Sequence, residues 1–144
     1  MKVADILRNK DRSVATVLGT DPMSVAVHRF VESEVRSLVV MDNEQRVSGV
    51  LSVRDLLRSI ESHGSGALEE PVAEAMTRDF ASVTPDVLLD EAERIFLEKH
   101  IHHLPVVEDD RLVGMVTPAD VLGGHLGDVQ FLNDNLIRYV YSGG

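Results

Sequence analysis

The stretch GVLSVRDLL at residues 49–57 returns as GMVTPADVL at residues 114–122. Each copy reads glycine, two apolar residues, a hydroxyl residue, two spacers, an aspartate and two apolar residues. Gly49 answers Gly114, Ser52 answers Thr117 and Asp55 answers Asp120, always 65 residues on (114−49, 117−52, 120−55). The match spreads outward from there. RFVESEVRSLVVMD (29–42) parallels IFLEKHIHHLPVVE (95–108), with Phe30 opposite Phe96 and Val35 opposite Ile101. That offset is 66 (96−30), and a one-residue difference in the following turn restores 65. SVATV (13–17) parallels DFASV (79–83), and VADIL (3–7) parallels VAEAM (72–76). Two copies indicate an internal duplication; a solenoid needs three or more.

Each copy predicts the same elements. A short strand (around 15–17 and 81–83) leads to a turn at Pro22 or Pro85. An amphipathic helix follows, with Val27, Phe30 and Val31 inward in copy one and Ala92, Ile95 and Phe96 in copy two. The runs SLVVM and HLPVV read as strands covered on both faces. DNEQ (42–45) and EDD (108–110) read as hairpin turns. A further strand ends at Ser52 or Thr117, where a second helix begins. The expected fold is α/β (α+β): β-α-β-β-α, twice. SHGSG at 62–66 is the Gly/Ser-rich link between the copies. The expected division is repeat one at 1–62, a linker at 63–70, repeat two at 71–126 and a tail at 127–144. Val129, Leu132, Leu136 and Val140 stand at helical spacing, which predicts an extra helix in that tail.

Bulk properties narrow the function. The 144 residues are 44% hydrophobic, enough for a real core and too much for a disordered chain. No apolar run is long enough to span a membrane, and MKVADILRNK does not read as a signal peptide. A cytoplasmic location is the expectation. There is no cysteine, which excludes disulfides, thiolate metal sites and a cysteine nucleophile. The net charge of −10 argues against nucleic-acid binding. Residues 1–65 hold 9 acidic and 9 basic side chains, whereas residues 66–144 hold 15 acidic and 5 basic. An anionic ligand therefore meets most of its cationic partners in the first half.

The repeated phrase has two chemical meanings. Ser52-x-x-Asp55 and Thr117-x-x-Asp120 have the form of a capping box, and Pro118 suits a first helical position. But a capping box prefers the longer Glu or Gln. A free aspartate at a helix start can instead bind a ribose diol, beside amides and a dipole that suit phosphate. The same residues can therefore serve as caps or hold the sugar and phosphate of a nucleotide.

With SLVVMDNEQRVSGVLSVRDLL in copy one and HLPVVEDDRLVGMVTPADVL in copy two, the chain resembles a tandem pair of CBS (cystathionine beta-synthase) domains, a Bateman module. The resemblance runs from about Val3 to Leu122, and the outline is similar to small stand-alone bacterial proteins of this kind. It implies two repeats packed about a pseudo-two-fold axis, with two clefts between them. It implies an adenosine-containing ligand: AMP, ADP, ATP, S-adenosylmethionine or an NAD-type dinucleotide. By resemblance, Ser52 and Thr117 lie near phosphate, and Asp55 and Asp120 bind ribose. The strands near Ala15–Val17 and Ala81–Val83, with Val17 and Val83, line the adenine pocket, and Arg36, His102 and His103 face the phosphates. It also implies dimerisation into a flat disc. Copy one departs with Val39 where copy two has Pro105. Copy two has Ala119 where copy one has Arg54, so the Asp55 site is expected to suit a polyphosphate better than the Asp120 site.

Other constellations add little. His100, His102 and His103 tempt a metal assignment, but strand neighbours face opposite ways and no further ligand completes a tetrahedral set. No metal site is expected. No Gly-x-Ser-x-Gly elbow, Walker loop or activated carboxylate pair is present, so enzyme activity is not expected. The expected function is regulatory: a sensor that binds an adenosine nucleotide as ligand, requires no cofactor, acts as a homodimer on an effector protein, and signals by shifting populations. The alternative is a structural or adaptor dimer with no physiological nucleotide.

Overall fold

The computed structural model describes residues 1–9 and 13–127, so the helix expected from Val129 to Val140 lies outside the described residues. Copy one comprises helix α1 (Val3–Arg8), strand β1 (Thr16–Leu18), helix α2 (Met23–Ser33), strands β2 (Ser37–Met41) and β3 (Val47–Ser52), and helix α3 (Val53–His63). A 3-10 turn over Gly64–Glu69, with Ala67 buried, occupies the expected linker. Copy two follows with helices α4 (Val72–Ala75) and α5 (Leu89–Lys99), strands β4 (Leu104–Glu108) and β5 (Arg111–Val116), and a helix α6 described over 118–127.

β2 is the central strand of copy one, parallel to β1 and antiparallel to β3. Its residues Ser37, Leu38, Val39 and Val40 are all buried, as a strand covered on both faces requires. In copy two the sheet narrows to β4 and β5. The strand expected at 81–83 is reduced to one parallel bridge between Val83 and Val106. Proline explains the loss. In copy one the Gly19 N–H donates to the Met41 carbonyl at 3.2 Å and continues the ladder. Two residues beyond Val83 stands Pro85, which has no N–H to donate. The offset change from 66 to 65 falls in the hairpin. Met41 pairs with Val47 and Val107 with Leu112, so residues 42–46 in one copy face 108–111 in the other.

The helices follow the predicted period with one rotation. Met23, Ala26 and Phe30 are buried on α2, and Leu89, Ala92 and Phe96 on α5. Val31, expected inward, is 73% exposed, and its counterpart Leu97 is 69% exposed. Each stands 100° around the helix from the buried phenylalanine before it, which carries it off the core stripe.

The two cores exchange their leading segments. Val3, Ile6 and Leu7 of α1 are buried among Val83, Leu89, Phe96, Leu104 and Val116, all from copy two. Val72 of α4 is buried among Val17, Met23, Phe30, Leu38 and Leu51, all from copy one. Backbone bonds fix both exchanges. The Val3 N–H donates to the Val87 carbonyl at 2.9 Å, and Leu89 N–H to the Met1 carbonyl at 2.9 Å. Reciprocally, Val72 N–H donates to the Asp21 carbonyl at 2.8 Å and Met23 N–H to the Glu70 carbonyl at 2.9 Å. The Val50 and Thr77 backbones exchange two bonds, at 3.0 and 2.8 Å.

This exchange explains the glycine of the repeated phrase. A Cβ on Gly49 would lie 2.7 Å from the Thr77 carbonyl oxygen and 2.8 Å from Met76 Sδ. A Cβ on Gly114 would lie 2.7 Å from Leu7 Cδ2. Each glycine leaves room for the segment contributed by the other copy.

Candidate functional site

Where β3 ends, Ser52 takes extended backbone geometry and caps α3. Its Oγ accepts from the Asp55 N–H at 3.1 Å, and its own N–H donates to Asp55 Oδ2 at 2.8 Å. Copy two repeats the arrangement. Thr117 Oγ1 accepts from Asp120 N–H at 3.2 Å, and Thr117 N–H donates to Asp120 Oδ2 at 2.9 Å. Both boxes are closed. The expectation that aspartate would leave its carboxylate free of the cap is therefore corrected: the short side chain reaches the cap amide in each copy.

The Asp55 corner is enclosed by the exchanged segment. Asp55 is 7% exposed, and Thr77 Oγ1 lies 3.5 Å from both of its carboxylate oxygens. Arg58 stands 3.8 Å away on the same helix. An open cavity of about 290 Å³ adjoins them, lined by Asp55, Arg58, Ser59, His63, Glu74 and Thr77 among others. A carboxylate has about four acceptor positions. One is committed to the cap, so capacity remains for a diol whose hydroxyls take the place of the long Thr77 contact.

The Arg36 carbonyl accepts from Val53 N–H at 3.0 Å, so Arg36 adjoins the first turn of α3, and its side chain is exposed. Arg54 is exposed on that same turn. His102 and His103 precede β4; His102 is exposed and His103 half-buried. Burial, followed by the charge of His102, pulls the His103 pKa below the usual histidine value. The Val17 and Val83 side chains are buried in the two cores, so what those positions offer outward is backbone.

A second and larger cleft, about 410 Å³, lies away from both aspartates. Thr16, Leu18, Met41 and Asp42 line it from copy one, and Arg111 and Leu112 from copy two. The two hairpins meet there, with Val47 N–H donating to the Asp110 carbonyl at 3.2 Å. Both cavities are near the lower end of small-molecule sites, roughly 300–1,000 Å³. The phrase-bearing corner offers a buried carboxylate and an open cavity together, whereas the larger cleft offers volume. The expected base-lining strand, near Ala15–Val17, includes Thr16 but stops short of Leu18, which strand alternation could have added, because the neighbours of a buried strand residue face the other side.

Comparisons with known proteins identify the family and the fold. The model of the CBS domain matches residues 3–62 and 72–126. The chain belongs to the CBS-domain family. A putative acetoin utilization protein, AcuB, from Vibrio cholerae is 30% identical, over 93% of this chain and 96% of that one, with a TM-score of 0.79. CBSX2, solved in complex with AMP, is 28% identical over 88% of this chain and 96% of that one, with a TM-score of 0.76. A mitochondrial CBS-domain protein of Arabidopsis thaliana, CBSX3, is 27% identical over 91% of this chain and 69% of its own length. The fold is thus a CBS pair of mixed α/β architecture. No helix among the described residues is long and apolar enough to cross a membrane.

Proposed function

We propose that this CBS pair is a regulatory sensor for an adenosine-containing nucleotide. The repeated corner at Asp55 and Asp120 carries the reading: in both copies a capped helix start holds a carboxylate at the same place in the repeat. Asp55 and Asp120 take the ribose diol. Ser52, Thr117 and the first-turn amides of Arg54 and Ala119 face the phosphate. A relative of 28% identity that was solved with AMP supports the adenosine class. The strand backbones at Val17 and Val83 are the candidates to meet the base.

The Asp55 corner is the one proposed for a polyphosphate. Arg58 stands beside Asp55, and Arg36 and Arg54 adjoin the same helix start. Their counterparts in copy two are His102, Ala119 and Gly123 (36+66, 54+65, 58+65). Three guanidiniums against one imidazole favour the more highly charged anion at copy one. His103 near Thr117 is mostly neutral at pH 7, because burial lowers its pKa. It can donate one hydrogen bond to phosphate but adds little charge.

Signalling follows from the exchange of segments. Thr77 belongs to the segment that copy two lends to copy one, and it touches Asp55. A ligand that displaces this contact favours one arrangement of the lent segment over another and shifts the population toward it. A thermal-shift panel of AMP, ADP, ATP, NAD and S-adenosylmethionine tests the proposal. A ligand at about 100 times its dissociation constant adds about 2.7 kcal/mol, which is several degrees for this size. A shift with one ligand that vanishes in Asp55→Ala or Asp120→Ala supports the sensor and names its corner. No shift with any of them at millimolar concentration overturns it.

A second reading rests on a different observation. Leu57 is 60% exposed on α3 and Leu122 61% exposed on α6, and they stand 65 residues apart (122−57). Val31 and Leu97 repeat the pattern on α2 and α5. Exposed apolar residues related by the duplication suit a two-fold contact between copies. A homodimer fits the sensor. It also fits an adaptor that works through its dimer surface alone, which is the outcome if no nucleotide binds.

A further inference from the structure

Asp90 and Glu93 stand one turn apart on α5, and His125 faces them from α6. Nε2 of His125 lies 2.9 Å from Oε2 of Glu93 and 3.8 Å from Oδ1 of Asp90. One ligand atom from each of the three residues lies within 4.8 Å of the others. Close helix packing produces the cluster. A Cβ on Gly124 would lie 2.6 Å from Leu89 Cδ2 and 3.2 Å from Met1 Sδ. The glycine lets α6 press against the first turn of α5, and the next residue, His125, is delivered to the two carboxylates.

Copy one provides an internal comparison. It builds the same helix pair with Ser24, Val27 and Ile60 at the three positions (90−66, 93−66, 125−65). The helix pair therefore forms without these groups, and packing does not account for their choice in copy two.

We propose that Asp90, Glu93 and His125 form a site for a divalent transition-metal ion of the Zn²⁺ class. An imidazole nitrogen, a borderline donor, together with two hard carboxylate oxygens makes a mixed N/O set of the kind that Zn²⁺ takes, whereas Ca²⁺ and Mg²⁺ select all-oxygen sets. Zinc bonds of about 2.0–2.2 Å place the ligand atoms of a tetrahedral site ~3.4 Å apart. The observed separations of 2.9 and 3.8 Å fall on either side of that distance. His125 and Glu93 are partly open to solvent and Asp90 is 87% exposed, so the ion exchanges with solution and keeps a position for water. The ion ties α6 to α5, the two helices of copy two that carry Leu122 and Leu97.

The test is a calorimetric titration of Zn²⁺ alone into tag-free, nucleotide-free full-length protein. Wild type, His125→Ala, Glu93→Gln and the His102→Ala/His103→Ala double variant are compared, with the thermal midpoint of each metal-free protein recorded. One ion per chain is expected. Affinity should fall by at least about tenfold in His125→Ala and in Glu93→Gln, and stay unchanged in the double variant. If His125→Ala fails to fold, the near-isosteric Glu93→Gln decides. Absence of binding to the wild type overturns the proposal. Unchanged affinity in Glu93→Gln or His125→Ala overturns it, as does loss of binding in the double variant, which would place the ion on the other histidines.

Discussion

Asp55 and Asp120 each do structural work before any ligand arrives. Their carboxylates accept from the cap amide while their own amides donate to the cap hydroxyl. Replacing either by alanine should cost about 1–2 kcal/mol in denaturant unfolding, because a charge-assisted cap bond is lost. Similar costs at the two sites are expected. A cost in only one would mean that only one box contributes to stability. The presence of the boxes was legible in the spacing. Their closure was not, because spacing cannot tell whether a short side chain will reach the amide. His103 has a separate consequence. Its folded pKa lies below the unfolded value, so the unfolded chain binds the proton more readily and stability rises with pH through this window. Thermal midpoints should therefore decline as pH falls below about 6.5, and the decline should flatten in His103→Gln. Asp5, Asp42, Asp86 and Glu91, whose pKa values are lowered by hydrogen bonds, titrate at lower pH and leave a histidine window between.

At the scale of elements, the glycines of the phrase test the exchanged segments. Gly114→Ala drives a methyl group into Leu7 and should destabilise by about 1–3 kcal/mol. Leu7→Ala alone should cost about 2–5 kcal/mol. The double variant should cost clearly less than the sum, since the added methyl enters the space that Leu7 vacates. Additive costs would show that the two residues do not meet in solution. Gly49→Ala should resist such rescue by Met76→Ala, because its nearest obstacle is the Thr77 backbone carbonyl. The elements themselves were largely readable. SLVVM is the buried strand β2, and the matched phenylalanines Phe30 and Phe96 are buried. The third strand of copy two was overestimated, since the ladder bond lost at Pro85 becomes evident only in register with Gly19. The exchange of α1 and α4 was not readable, because VADIL and VAEAM look alike and neither pattern says which core receives it.

For the whole molecule, the exchange makes the two copies interdependent. Removing residues 1–8 deletes Val3, Ile6 and Leu7 from the core of copy two, and should unfold or strongly destabilise it. Loss of the Phe96 environment, followed by proton NMR of the aromatic region, would report this. A spectrum in which those signals persist unchanged would contradict the reciprocal packing. The exposed pair Leu57 and Leu122 predicts self-association. Sedimentation should give a dimer for the wild type and a monomer for Leu57→Asp/Leu122→Asp, whereas a monomeric wild type would leave those side chains without the partner proposed here.

The most direct measurement is a calorimetric titration of AMP and ATP into the wild type, Asp55→Ala and Asp120→Ala. Saturable binding to the wild type is expected, with ATP affinity reduced at least about tenfold in Asp55→Ala and largely retained in Asp120→Ala. No heat with either nucleotide, or ATP binding lost in Asp120→Ala and intact in Asp55→Ala, would contradict the assignment of the polyphosphate to the first corner.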